Sequence, residues 1–214
     1  MQEIWWIRHG ETDWNLNGRV QGTSDIPLNA TGRAQAAALA ERFDGTAEFD
    51  GVYASDLERA AETARLALPD VGAVLDARLQ ELDYGHLEGH RWADPMPAEL
   101  VDPVRAWQAD PFEGRVPGGE SYGDLTDRVA AFLAELPTAG RFAVFSHGGT
   151  IRSALYAVIG RPRGEWRIAV ENTSITRVRF DRRGATLVTL NDHGHLDRFE
   201  PLEKVGPETS ALTT

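Results

Sequence analysis

Two hydrophobic rhythms alternate along the chain. Glu3 to Arg8 is an almost continuous apolar run that ends abruptly in Arg8, His9 and Gly10, the pattern of a buried strand whose carboxyl end opens into a glycine-bearing loop. After Asn29, Thr31 and Gly32, the residues Ala36, Leu39, Ala40 and Phe43 recur at helical spacing. Phe49 to Ala54 reads as a second strand. Ser55, Asp56, Leu57 and Glu58 then read as a capping box that opens a helix with Leu57, Ala60, Ala61 and Ala64 on one face, stopped by Pro69. Val71 to Leu75 is a third, weaker strand. Residues 84–119 break the alternation with Pro95, Pro97, Pro103, Pro111 and Pro117, and predict a helical and looped excursion over a pocket. Ser121 and Asp124 start a helix with Leu125, Val129, Phe132, Leu133 and Leu136 on its apolar stripe. Phe142 to Ser146 is a continuous apolar strand entering His147-Gly148-Gly149-Thr150, and the next helix carries Ile151, Leu155, Val158 and Ile159. Ser174 to Phe180 and Ala185 to Leu190 flank Asp181-Arg182-Arg183-Gly184 as a hairpin.

Strands alternating with helices predict an α/β fold with a mostly parallel central sheet covered on both faces. No repeat or linker divides the pattern, so residues 1–200 are expected to form a single domain, with 201–214 a polar tail.

Composition narrows the partners. The 214 residues carry a net charge of −11, which opposes general nucleic-acid binding and docking on anionic membranes. There is no cysteine, which excludes disulfides, thiolate metal sites and a cysteine nucleophile. No apolar run approaches the roughly 20 residues needed to span a bilayer, and the N-terminus lacks a secretory signal pattern. The expectation is a soluble, cytoplasmic protein acting on a small molecule, as a monomer or as a homodimer through the Ser174–Leu190 hairpin edge.

Several residue groups carry chemistry. Both His9 and His147 follow a strand and precede glycine, and His147 stands before a helix whose free N–H groups favour an anion. Arg59 falls in or beside the first turn of its helix, where the dipole disfavours a cation, and off that helix's apolar face. A solvated side chain is one explanation; an arginine reaching back to phosphate, which its guanidinium matches as a fork, is the better one. Glu81, Asp83 and Glu88 are equally available carboxylates. His193 and His195 would share one face of an extended segment, the spacing of a metal pair, but no further ligand spacing accompanies them.

Taken in order, Arg8-His9-Gly10-Glu11-Thr12, Trp14-Asn15, Gly18-Arg19, Gln21-Gly22, Pro27-Leu28, Thr31-Gly32, Ser55-Asp56-Leu57 with Arg59-Ala60, and Glu81 with Gly85 and Glu88-Gly89 resemble the histidine phosphatase superfamily. Pro117-Gly118-Gly119-Glu120-Ser121, Ser146-His147-Gly148-Gly149 and His195-Leu196 continue the match, over about residues 3–197. The resemblance implies a phosphoglycerate-mutase-like three-layer α/β/α sandwich. It implies that His9 is a nucleophile that becomes phosphorylated, and that Arg8, Arg59 and His147 hold the phosphoryl group with help from Asn15 and Gly148. Glu81 would be the proton donor, Gln21 and Gly22 would line the pocket, and no metal or cofactor is required.

The chain is compact and reads Glu11-Thr12, resembling the family's broad-specificity phosphatases more than its cofactor-dependent phosphoglycerate mutases. A mutase is the alternative, and a non-catalytic phospholigand-binding protein a distant one. Trp92, Met96, Trp107, Phe112 and Tyr122 are candidates for an apolar pocket wall or for plain core packing.

Overall fold

The computed structural model describes residues 1–44, 48–161 and 168–197. Its strands are β1 (Gln2–Arg8), β2 (Gly51–Ala54), β3 (Val74–Leu75), β4 (Gly140–Ser146), β5 (Ile175–Asp181) and β6 (Gly184–Asp192), arranged in one sheet in the order β3-β2-β4-β1-β5-β6. β1, β2, β3 and β4 run parallel, and the β5–β6 hairpin joins antiparallel to β1. The α/β expectation holds, with the hairpin as its antiparallel wing.

Side chains alternate across the central strands, so two cores form. Ile4, Trp6 and Val144 face one side, covered by α4 (Ala98–Ala109), α5 (Tyr122–Glu135) and α6 (Gly148–Ile159) through Trp107, Leu125, Phe132 and Leu155. Ile7, Ala143 and Phe145 face the other side, covered by α2 (Ala30–Phe43) and α3 (Glu58–Ala67) through Leu39, Phe43 and Ala64. These are the three layers of the expected sandwich. The remaining helix, α1 (Asp13–Leu16), is a single turn capped by Thr12.

Local side-chain caps open three of the six described α-helices, α1, α2 and α5. Asn29 accepts from the Gly32 N–H, and Ser121 and Asp124 form a reciprocal capping box. The Ser55 box does not form. Ser55 Oγ accepts from Leu57 N in a tight turn, and α3 starts at Glu58, whose N–H is taken by the Asp25 carboxylate at 2.8 Å. A carboxylate from a distant loop thus replaces the local cap. The second and third strands are shorter than predicted, beginning at Gly51 and Val74, because Val71 lies on an exposed turn and β3 is a sheet edge. The tail 201–214 lies outside the described residues. Among the described residues, no helix is long and apolar enough to cross a membrane.

Candidate active site

Parallel pairing of β1 with β4 sets Arg8 opposite Ser146, so the next residues, His9 and His147, emerge side by side from the carboxyl edge of the sheet. His9 N–H donates to Ser146 O at 2.9 Å, and the two ring centroids are 5.1 Å apart. His9 Nδ1 lies 2.7 Å from Gly10 O. A carbonyl only accepts, so Nδ1 carries the proton and Nε2 of the neutral ring presents a lone pair. At His147 the polarity is reversed: Arg59 Nε donates to Nδ1 at 3.2 Å, which places the imidazole proton on Nε2. That buried Nε2 has no hydrogen-bond partner among the described residues. One ring therefore offers a nucleophilic nitrogen and its neighbour a donor.

Arg59 is the second residue of α3, and it is fully buried rather than turned off the packed face. Its terminal nitrogens donate to Gly22 O at 2.6 Å and Ser24 O at 2.8 Å, and burial pushes its pKa down to about 10. Arg8 donates to Val170 O at 2.6 Å, while its buried Nε has no partner among the described residues. Burial, followed by the Arg59 and Arg8 charges, holds the His9 pKa well below the usual histidine range; burial, Arg59 and His9 do the same at His147.

This has a stability consequence. In the unfolded chain both imidazoles titrate near about 6.5. Below that pH the unfolded chain takes up protons that the folded chain refuses, so this contribution is fully present above about pH 6.5 and is lost as the pH falls toward the folded values. Each ring adds up to about 1.4 kcal/mol per pH unit in that window. His147→Asn keeps an acceptor for Arg59 and should flatten the fall in urea-unfolding stability between pH 6.5 and 5. An unchanged slope would show that His147 is not held neutral.

A cavity of about 160 Å³ opens beside His9, lined by Arg8, His9, Asn15, Gln21, Gly22, Arg59 and Glu81, together with Arg19, Val20, Tyr84 and Trp92; His147, packed against the His9 ring, and Gly148 do not belong to this lining. Glu81 is held by the N–H groups of Leu82 (2.9 Å) and Gly149 (3.0 Å). The two rival carboxylates are engaged elsewhere: Asp83 accepts from Gly85 N, and Glu88 from the Thr23 and Ser24 backbone. Asn15 Oδ1 completes the Thr12 capping box, and Gln21 Nε2 has no partner among the described residues. Gly148 opens α6 close to Arg8 Nε. Of the five side chains considered for a wall, Trp92 lines the cavity, Trp107 is core, and Met96, Phe112 and Tyr122 are absent from the lining.

Several contributors stand outside the sequence motifs. Arg152 follows Gly148 by one helical turn, so its guanidinium doubles back to within 3.7 Å of where a Gly148 Cβ would stand. That helical spacing was a readable signal. Thr173 gave none: a β-branched residue at φ 55°, it donates its N–H to Arg8 O and His9 O at 3.1 and 3.3 Å. Asn172 Nδ2 adds a 2.9 Å bond to His9 O. His195 Nε2 meets Thr173 Oγ1 at 3.0 Å, while His193 bonds Asn191 O. The predicted extended segment is instead a 3₁₀ turn, Gly194–Leu196, so the two imidazoles do not share a strand face. Among the described residues, no three histidine, aspartate or glutamate side chains converge as a metal site.

An α/β/α sandwich in which an imidazole, guanidiniums and a carboxyl group line one small cavity, with a second imidazole packed against the first, has the make-up of a phosphoryl-transfer site. The sequence model of the histidine phosphatase superfamily (branch 1) matches residues 4–193, and the chain belongs to that superfamily. A probable phosphoglycerate mutase of Citrobacter koseri is 38% identical over 208 residues, spanning 92% of this chain and 96% of the relative. The structure of a putative alpha-ribazole-5′-P phosphatase from Escherichia coli superposes with a TM-score of 0.81 at 31% identity, covering 90% of this chain and 97% of that one. An Entamoeba histolytica phosphoserine phosphatase mutant, solved with phosphoserine, gives a TM-score of 0.79 at 27% identity over 92% of this chain and all 100% of its own.

Proposed function

We propose that the chain is a phosphomonoester hydrolase that acts on small phosphorylated metabolites through a phosphohistidine intermediate. The observation that carries this reading is the setting of His9: its Nδ1 lies 2.7 Å from Gly10 O, which leaves Nε2 as the free lone pair, and the residue lines a cavity with Arg8, Arg59 and Glu81. His9 Nε2 attacks phosphorus, the P–O ester bond breaks, and the departing oxygen takes the proton of the Glu81 carboxylic acid. Water then attacks the phosphorus of phospho-His9 and gives a proton back to Glu81. The P–N bond breaks, which restores the Nε2 lone pair and frees phosphate. Arg8, Arg59 and His147 Nε2–H offset charge on the phosphoryl oxygens throughout, with Asn15 and Gly148 assisting and Gln21 and Gly22 shaping the wall. In this scheme the guanidiniums supply the electrostatic role a metal would otherwise fill.

The name of the 38%-identical relative favours a second reading, a mutase that returns the phosphoryl group to another hydroxyl instead of admitting water. Phosphate release from a panel of phosphomonoesters in excess EDTA, with 3-phosphoglycerate products checked for the 2-isomer, separates the two. Net phosphate supports the hydrolase; isomerisation with little phosphate replaces it with the mutase. No turnover of either kind favours a binding protein.

The same reading makes Gly149 a functional position. A Cβ there would lie 2.3 Å from Glu81 Oε1, the far end of a flexible side chain. Alanine suits a helix, so Gly149→Ala should displace the carboxylate without unfolding α6. The expected result is a loss of about 10²-fold in kcat/KM for an alkyl phosphate, with the melting temperature within about 3 °C of wild type. A full-rate Gly149→Ala enzyme would remove Glu81 from the chemistry.

A further inference from the structure

The Pro117–Ser121 motif and Arg128 do not line the cavity, yet they converge on the segment that bears Glu81. Residues 80–84 belong to no strand or helix, so their backbone groups lack a ladder and must be satisfied by other means. Arg128, on α5, satisfies three carbonyls: it donates to Arg78 O (2.8 Å), Gln80 O (2.7 Å) and Glu81 O (2.8 Å). Its other two N–H groups grip Glu120 at 3.0 and 2.8 Å, so all five guanidinium donors are engaged. Glu120 in turn accepts from Asp83 N at 2.9 Å. The motif's backbone completes the bracket: Glu120 N donates to Asp83 O and His86 N to Pro117 O, both at 2.9 Å. The approach is so close that a Cβ on Gly119 would stand 2.4 Å from Asp83 O, and one on Gly85 2.3 Å from Pro117 O. The opposite side is held by Ser146 Oγ on Leu79 O and Thr150 Oγ1 on Gln80 O.

We propose that Arg128 and Glu120 are positioning residues for proton transfer, whose task is to fix the backbone from which the Glu81 carboxyl group reaches the ester oxygen. This rests on the hydrolase reading and on Glu81 as its proton donor. An arginine suits the task because one planar fork can reach three carbonyls and a carboxylate together; lysine keeps the charge with only three donors and no fork. The proposal therefore separates geometry from charge.

Protonation matters when an alkoxide leaves and matters little for nitrophenolate, while kcat/KM reports only steps through departure of the alcohol. The test compares kcat/KM for glycerol phosphate and p-nitrophenyl phosphate in wild type, Arg128→Lys, Glu81→Gln and the double variant. Arg128→Lys should lower the alkyl-to-aryl ratio at least about tenfold, as should Glu81→Gln. In the double variant, lysine should change the ratio by less than about twofold beyond Glu81→Gln, the non-additivity of groups acting through one another. Equal slowing of both esters, slowing of neither, or a double variant falling by the product of the singles would overturn the proposal. Should Arg128→Lys lack a cooperative melting transition, Glu120→Gln takes its place: a tenfold lower ratio supports the proposal, and an unchanged ratio overturns it. Failure of the underlying reading looks different: a wild-type ratio in Glu81→Gln removes the proton donor itself, and full turnover in His9→Ala removes the phosphohistidine.

Discussion

His9→Ala should abolish phosphate release, with kcat falling by about 10⁵-fold or more, in the range seen when a covalent nucleophile is deleted. In the proposed mechanism no described neighbour is set to substitute. The adjacent His147 ring is turned the other way, with Nδ1 accepting from Arg59 Nε and its proton on Nε2. Wild-type protein quenched in alkali after exposure to labelled substrate should hold label on a single histidine-containing peptide, and His9→Ala should hold none. Stability should fall modestly, by about 1–3 kcal/mol in urea unfolding, because truncating the buried imidazole leaves Gly10 O without its donor. Label persisting in His9→Ala would move the nucleophile elsewhere and sink the mechanism.

Arg59→Met should damage stability and catalysis together. Methionine fills part of the volume but leaves Gly22 O, Ser24 O and His147 Nδ1 without their donor. At about 1–3 kcal/mol for each buried group left unpaired, relieved in part by water entering from the cavity, a net cost of about 2–4 kcal/mol is expected in urea unfolding. Turnover should fall by about 10³-fold, since the variant loses a charge on the phosphoryl oxygens and the bond that orients His147. The pH profile carries the sharper signature. Arg59 is the second cause, after burial, of the depressed His9 and His147 pKa values, so both should rise in the variant. In the proposed mechanism His9 attacks only when neutral, so the acidic limb of the residual kcat/KM profile should move to higher pH. A limb that stays in place would mean that the Arg59 charge does not act on the nucleophile.

The apolar runs that became β1 and β4 were legible because each is long, continuous and cut off by glycine, and their alternation with helices was enough to predict a mostly parallel sheet. Short edges were not: β3 pairs only through Val74 and Leu75, and such a brief register is set by tertiary contacts instead of propensity. Ser55 misled because Asp25, thirty-three positions before Glu58 in the chain, took over the helix terminus. For the site, seven of the residues given roles by the motifs line the cavity while His147 and Gly148 do not, and Arg152 could have been read from its one-turn spacing after Gly148. The resemblance picks Glu81 out of three carboxylates within eight residues; the coordinates add that Glu81 lines the cavity while Asp83 and Glu88 do not. Thr173 was beyond reach: nothing in a threonine's identity announces a left-handed backbone.

The pairing of β1 with β4 joins residues 2–8 to residues 140–146. Such a contact closes most of the chain into a loop, and folds dominated by long-range closures form slowly. The two imidazoles therefore stay apart until β4 has been synthesised and, on refolding, until β1 and β4 pair. A nascent chain released before β4 has the first histidine, its arginine and the Glu81 segment, but no second strand to set them against. Enzymatic activity regained after dilution from denaturant should thus report the β1–β4 and β1–β5 closures, and trail the return of helical signal.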